Sequence, residues 1–320
     1  MLDAVMARLS KSPAARAALV PLARACVRYA PAAAGTPWLW SRIVEPYLAW
    51  HPRRYRAATA FGFRLDGDSQ DLIQQWIYYF GVWEPSLTAW IRRRLRPGDT
   101  FVDVGANIGY FALVCGSAVG DRGRVVAIEA SPAIVEQLER NVRLNAMTNI
   151  RTVHAAALGS RGTVRLYRGS DANCGETTID EQYGGVFEAE VRALPLQELL
   201  TADEITGARL IKIDTEGAEY SILKGFDAFS RLRRDAELIV ELHPTYLAHR
   251  GESVDALLDL MAGEGFHAYL LAEEYWAPSY LRRGLAAMPP PARLRAPVTE
   301  DGTVVIFSRI DADVLESPAS

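Results

Sequence analysis

The sequence predicts an α/β fold built on a mostly parallel sheet. From Thr100 onward, short apolar runs alternate with helical patterns, as strands joined by helical crossovers do. The first run, Thr100-Phe-Val-Asp-Val-Gly-Ala-Asn-Ile-Gly-Tyr-Phe111, reads as a buried strand, a glycine turn and a helix start. The second, Val125-Val-Ala-Ile-Glu129, is again apolar and ends in an acid.

The elements follow in order. Residues 1–35 are rich in Ala, Leu and Arg and read as helix to about Ala30; Pro31 and the run to Pro37 break the pattern. Residues 37–69 interleave Trp38, Trp40, Tyr47, Trp50, Tyr55, Phe61 and Phe63 with arginines, read as the packing of an accessory subdomain. Residues 70–96 give two helices broken near Gly81, and Arg96-Pro-Gly-Asp99 gives a turn. Strands are expected at 100–105, 124–129, 150–156, 209–214 and 237–242, and helices at 108–118, 132–146, 217–229 and 253–264. Ser131 and Pro132 form a cap-and-first-turn pair. Residues 164–194 read as an insertion carrying the polar loop Gly169–Gly185. His267–Leu271 and Thr303–Phe307 close the sheet as an antiparallel pair. The domain reading is a helical, basic extension at 1–69, an α/β domain at 70–310 and a tail at 311–320.

Composition narrows the function classes. The net charge of −4 offers no global attraction for nucleic acid. It is uneven: residues 1–60 hold nine basic and two acidic residues, the remainder 26 and 37. The basic, amphipathic start is read as a surface helix packed on the domain or a second copy, with a membrane surface as the alternative. Cys26, Cys115 and Cys174 form no metal-binding spacing and suit a reducing compartment, so a cytoplasmic location is expected. No apolar run reaches the ~18 residues of a membrane span, and no secretory signal is read.

Two acid-tipped strands around a glycine turn suit a nucleoside with a charged tail. The dinucleotide fingerprint needs a second glycine for close approach of a pyrophosphate. Here Asn107 stands between Gly105 and Gly109, which disfavours a nicotinamide-dependent oxidoreductase. The pattern suits S-adenosylmethionine: Asp103 for the cationic part, the turn amides for the carboxylate and Glu129 for the ribose hydroxyls. Ala156, past the third strand, leaves room for adenine.

The chain resembles the FkbM family of S-adenosylmethionine-dependent methyltransferases. The resemblance rests on Gly81-Val-Trp-Glu-Pro85, the segment Arg96–Phe111, Ile128-Glu-Ala-Ser-Pro132, Asn141-Val-Arg-Leu-Asn145, Ala156-Ala-Leu-Gly159, Ile211-Lys-Ile-Asp-Thr-Glu-Gly-Ala-Glu219, Leu223-Lys-Gly225 and Glu241-Leu-His-Pro244. Ala130 replaces the family's more usual proline. It implies a class I methyltransferase, Rossmann-like fold with seven strands, one of them antiparallel. It also implies a hydroxyl acceptor on a sugar, glycolipid or polyketide-type natural product. Cofactor contacts are expected from Glu84, Asp103, Gly105, Ala106, Asn107, Gly109, Glu129, Ala130, Ala156 and Asp214.

An alcohol needs a base to become a good nucleophile. His243, Asp214 and Glu216 follow the fifth and fourth strands and are the expected catalytic residues. Strand alternation places Lys212 with Asp214, and Glu241 with His243. Asp214 also suits a helix cap or an ion pair with Lys212, Glu216 and Glu219 a helix first turn, and His243 a structural histidine. Metal assistance by this trio is the lesser reading and no metal ligand is assigned; a fold retained as a binding or assembly module is another alternative. His154 is expected in packing. Tyr183, Tyr275 and Trp276, on the loops at 169–185 and 275–302, are expected to border the acceptor.

Overall fold

The computed structural model describes residues 2–30, 35–51, 54–169, 177–179, 181, 185–276, 280 and 288–316. The chain forms two compact units. One is Met1–Pro85 with Asp171–Asn173 and Glu274–Met288; the other is Ser86–Ser170 with Cys174–Glu273 and Pro289–Ser320.

In the first unit, helices Leu2–Leu9 and Pro13–Tyr29 are followed by Thr36–Leu39, the wider helical segment Trp40–Ala49 and helix Leu72–Phe80. Ser12 caps the second helix with Pro13 in its first turn, and Asp71 caps the last. A hairpin of Arg54–Ala58 (β1) and Arg64–Asp68 (β2) interrupts what the sequence reads as a helical extension. In β1, Tyr55 and Ala57 alternate inward between exposed neighbours, a period of two. Trp40 is buried with its ring 4.6 Å from that of Phe80. Tyr55 and Phe63 join the core, whereas Trp38 and Trp50 are exposed. Two arginines of the second helix satisfy backbone carbonyls: Arg24 Nε donates to Tyr78 O at 2.7 Å and Arg28 Nη1 to Ala58 O at 2.6 Å.

The second unit holds Thr100–Val104 (β3), Arg124–Glu129 (β4), Ile150–His154 (β5), Ala156–Ala157 (β6), Gly162–Arg168 (β7), Val186–Leu194 (β8), Ala208–Ile213 (β9), Glu237–Leu242 (β10), His267–Leu270 (β11), Ala292–Arg293 (β12) and Thr303–Ser308 (β13). The main sheet has the order β12-β11-β13-β10-β9-β3-β4-β5. Strands β5, β4, β3, β9 and β10 are mutually parallel. Strand β13 runs antiparallel to both β10 and β11, the closing pair the sequence predicts. The two-residue β12 adds an eighth strand at the edge.

Every residue of β3 and β9 is buried, as expected for parallel strands covered on both faces. Helices Tyr110–Val119, Pro132–Leu144, Glu219–Gly225 and Val254–Gly263 supply crossovers and cover. A smaller sheet, β6-β8-β7, forms the insertion. The third strand stops at His154, and Ala156 belongs to this smaller sheet. Below the central strands, Arg94 Nε donates to Glu237 Oε2 at 3.0 Å, with both side chains almost fully buried. Among the described residues no helix is long and apolar enough to cross a membrane.

Candidate active site

Four neighbouring strands, β4-β3-β9-β10, carry Glu129, Asp103, Asp214 and His243 at or just past their carboxyl ends. In a doubly wound sheet this edge is where ligands bind, because the loops there diverge around the point where the strand order reverses.

The turn after β3 is held from several sides. Gly105 N and Ala106 N both donate to Ile128 O, at 2.9 and 3.0 Å. Gly105 and Gly109 have φ of +81° and +90°, and Asn107 has φ of +48°. Asparagine tolerates this left-handed conformation because its side chain bonds locally. Asn107 Oδ1 indeed accepts from Ile108 N at 2.7 Å. Asn141, fully buried in the helix Pro132–Leu144, donates from Nδ2 to Ile108 O at 2.9 Å. The sequence marks it only as part of the Asn141–Asn145 segment and as an asparagine in a helix interior that propensity disfavours; the bond itself depends on a distant partner.

Glu129 accepts from Asn107 N, Ala130 N and Ser131 N at 2.8–2.9 Å. It therefore binds the two turns together. A carboxylate offers about four acceptor positions, so three amides leave room for a further donor. Burial pushes its carboxyl above the ordinary range, and the three amides oppose that shift. Ala130 packs on the small cluster that contains Ala156.

Asp103 is the most unusual group. It is buried, and neither carboxylate oxygen makes a well-formed hydrogen bond. The Ala112 amide favours its charged form only weakly. Burial raises its pKa to about 7; the neighbouring Asp214 and Glu129 add to this, while Lys212 opposes it. Lys212 lies opposite Asp103 in the β3–β9 register, over the Phe111 ring at 5.2 Å. Its Nζ reaches Asp214 Oδ2 at 2.7 Å. Burial alone would raise Asp214, but Lys212 and His243 together hold it below the ordinary carboxylate range.

The loop after β9 is shaped by Glu219, which opens the next helix and is fully buried. Its Oε1 accepts from Thr215 N and Oγ1 at 3.0 Å and from Gly217 N at 3.1 Å. Glu216, thus held between bonded neighbours, has φ of +52°. Thr178 of the insertion donates to Glu216 O at 3.1 Å. Glu219→Ala is expected to leave two loop amides without their acceptor. At about 1–3 kcal/mol per buried unsatisfied donor, its urea midpoint falls well below that of the parent, and hydrogen exchange at 215–217 accelerates.

His243 Nε2 stands 3.5 Å from Glu216 Oε2 and 4.0 Å from Glu241 Oε1, beside the Tyr246 ring. The structure thus brings Asp214, Glu216, Glu241 and His243 together. Glu84, expected to bind the cofactor, belongs to the other unit, where it is buried with φ of +41° and accepts from Tyr275 Oη at 2.8 Å. Trp276 is exposed, and Tyr183 and Cys174 lie outside the described residues. His154, expected in packing, is exposed, with Nε2 3.1 Å from Ala130 O; it ends a strand on the sheet's edge and turns outward.

This sheet, with its glycine turn and row of acids, has the Rossmann-like fold of class I methyltransferases. The chain belongs to the FkbM methyltransferase family: the methyltransferase FkbM domain model matches residues 103–268, which is 166 of 320 residues. Methyltransferase sdnD of Sordaria araneosa is 29% identical over 161 residues, 41% of this chain and 62% of that protein. The antimetabolite synthetase AmbE of Pseudomonas aeruginosa is 29% identical over 209 residues, 54% of this chain and 10% of that protein. The chain thus spans less than two thirds of the length of either relative. A crystal structure of methyltransferase FkbM from Methylobacillus flagellatus matches with a TM-score of 0.39 at 17% identity, covering 73% of this chain and 54% of that one.

Proposed function

We propose that the protein is an S-adenosylmethionine-dependent O-methyltransferase acting on a hydroxyl of a small molecule: a sugar, a glycolipid or a polyketide-type natural product. The observation that carries the cofactor is Asp103. A buried carboxylate without a well-formed hydrogen bond is costly unless a cation completes it, and S-adenosylmethionine brings an ammonium and a sulfonium. The remaining residues fit. Glu129 retains acceptor capacity for a ribose hydroxyl, and the turn Gly105, Ala106, Asn107 and Gly109 is pinned in a tight conformation. Ala130 and Ala156 offer small side chains next to them.

When bound, the cofactor supplies an electrophilic methyl group on sulfur. The chain must align an acceptor oxygen and take its proton. The group Asp214, Glu216 and His243 is the polar cluster suited to this, following the two strands next to that of Asp103. Holding these side chains on two adjacent strand ends keeps their spacing fixed.

Calorimetric titration with S-adenosylmethionine and S-adenosylhomocysteine tests the cofactor, and a panel of hydroxylated acceptors tests the reaction. Heat with both ligands and methylation at oxygen are expected; no heat with either overturns the reading. Binding without turnover on any acceptor supports a binding module instead. His243→Ala is expected to lower turnover by about 10²–10⁴ with cofactor affinity nearly unchanged. Equal turnover removes His243 from the reaction.

A further inference from the structure

Building on the methyl-transfer reading of this site, we propose that Asp214, Glu216 and His243 ligate a divalent cation, with Mn²⁺ as the probe, that holds the acceptor oxygen. One ligand atom from each of the three lies within 4.8 Å of the other two. Ligands about 2.0–2.2 Å from one ion stand at most about 4.4 Å apart. The His243–Glu216 pair, at 3.5 Å, already falls within that span, and the bound on the other pairs exceeds it by only a few tenths of an ångström, within reach of side-chain rotation.

His243 gives the independent indication. Its side chain is only 10% exposed, yet Nε2 has no hydrogen-bond partner among the described residues. A buried polar nitrogen left unpaired is unfavourable. The nitrogen is aimed at carboxylates, but at 3.5 Å from Glu216 the contact is too long for a good hydrogen bond. An ion between them gives Nε2 its missing partner.

Charge points the same way. Asp214, Glu216 and Glu241 converge here, with Lys212 Nζ beside Asp214 Oδ2. A divalent ion offsets the negative balance, and its own charge then dominates the local field. The Lys212 contact is made to Oδ2 of Asp214, and a carboxylate has about four acceptor positions, so this contact does not exhaust it. Two carboxylates and one imidazole suit Mn²⁺ or Fe²⁺ better than an all-oxygen ion site. Three protein ligands leave positions open for oxygens of the acceptor, whose hydroxyl the ion would make more acidic; with His243 Nε2 ligating, the proton would pass to a carboxylate oxygen of this cluster rather than to the imidazole. The frame is firm: β9 and β10 are paired up to Ile213 and Val240, the last two residues of β10 pair with β13, and Glu219 fixes the Glu216 loop.

The test uses the full chain, stripped with a chelator and titrated with Mn²⁺ alone, followed by the loss of the free-ion electron paramagnetic resonance signal. One Mn²⁺ per chain is expected. His243→Ala and Glu216→Gln should each weaken binding by about tenfold or more. Glu216 is partly exposed, so its variant keeps the test valid if His243→Ala folds poorly. Asp103→Asn should bind Mn²⁺ as the parent does. Cofactor titrations on the same samples separate the two readings. A parent that binds S-adenosylmethionine but takes up no Mn²⁺ at millimolar concentration overturns the metal site and leaves the cofactor reading standing. Mn²⁺ binding equal in parent, His243→Ala and Glu216→Gln also overturns it.

Discussion

Asp103→Asn is expected to raise the thermal stability of the cofactor-free protein at pH 8 while weakening S-adenosylmethionine binding roughly a hundredfold, the loss anticipated when one partner of a buried charge pair is removed. Both effects follow from one group. Burial holds the Asp103 carboxyl near 7, against 3.8 for the ordinary group. The unfolded chain therefore releases this proton well before the folded one. Between these values the folded state binds more protons, so stability falls as pH rises. Below pH 3.8 the penalty is absent; above 7 it is complete, at an order of a few kcal/mol. Asparagine removes it, and the melting temperatures of variant and parent converge toward acid pH.

The cofactor sees the opposite sign. A cation binds the ionised carboxylate, whose fraction rises from about one tenth at pH 6 to about nine tenths at pH 8. Affinity in the parent should therefore tighten about tenfold over that range, with a proton released on binding. The cofactor's own α-amino group can also change charge with pH, so the informative quantity is the difference between parent and variant. Titrations in buffers of unlike ionisation enthalpy detect the released proton. A variant with the same pH profile as the parent assigns the dependence to another group and removes Asp103 from cation binding.

Much of the second unit was legible because its physics is local. An apolar run ending in an acid, followed by glycines, forces a strand and a tight turn, and Ser131-Pro132 starts a helix for reasons confined to two residues. The pairings Lys212–Asp214 and Glu241–His243 follow from strand alternation alone. What was hidden depends on distant partners. The buried Arg94–Glu237 pair joins residues 143 positions apart, and nothing near either one announces it. Glu219 read as a first-turn helix acid, yet its work is to accept loop amides that only the folded chain supplies. Ala156 looked like the end of a strand because the apolar run continues through Ala155; the change of sheet is decided by its pairing with Ala193. The β1–β2 hairpin was obscured by arginines among its aromatics, whose carbon stems sit comfortably on a half-exposed strand.

Gly105→Ala is the substitution expected to disturb the whole site at once. At φ of +81°, an alanine there meets a backbone penalty of about 1–2 kcal/mol. The larger effect is spatial. An added Cβ would lie 1.7 Å from the carbonyl oxygen of Asp214 and 2.9 Å from its carbonyl carbon. This obstacle is backbone and cannot rotate away. Asp214 N also donates to Val104 O at 3.0 Å, so the turn after β3 and the loop after β9 must separate together. That separation displaces the amides beside Asp103 and moves Asp214 relative to His243. The proposed cofactor site and the acid–histidine cluster are therefore one mechanical unit joined through a missing methyl group. Calorimetry should show a loss of S-adenosylmethionine affinity and Mn²⁺ titration a parallel loss of metal, with a melting temperature several degrees lower. Gly98→Ala is the control: its φ of +95° carries the same kind of backbone penalty, but nothing lies within 4 Å of the added Cβ. It should lose stability and keep both ligands. Should Gly105→Ala keep both as well, the two loops are not coupled through this contact.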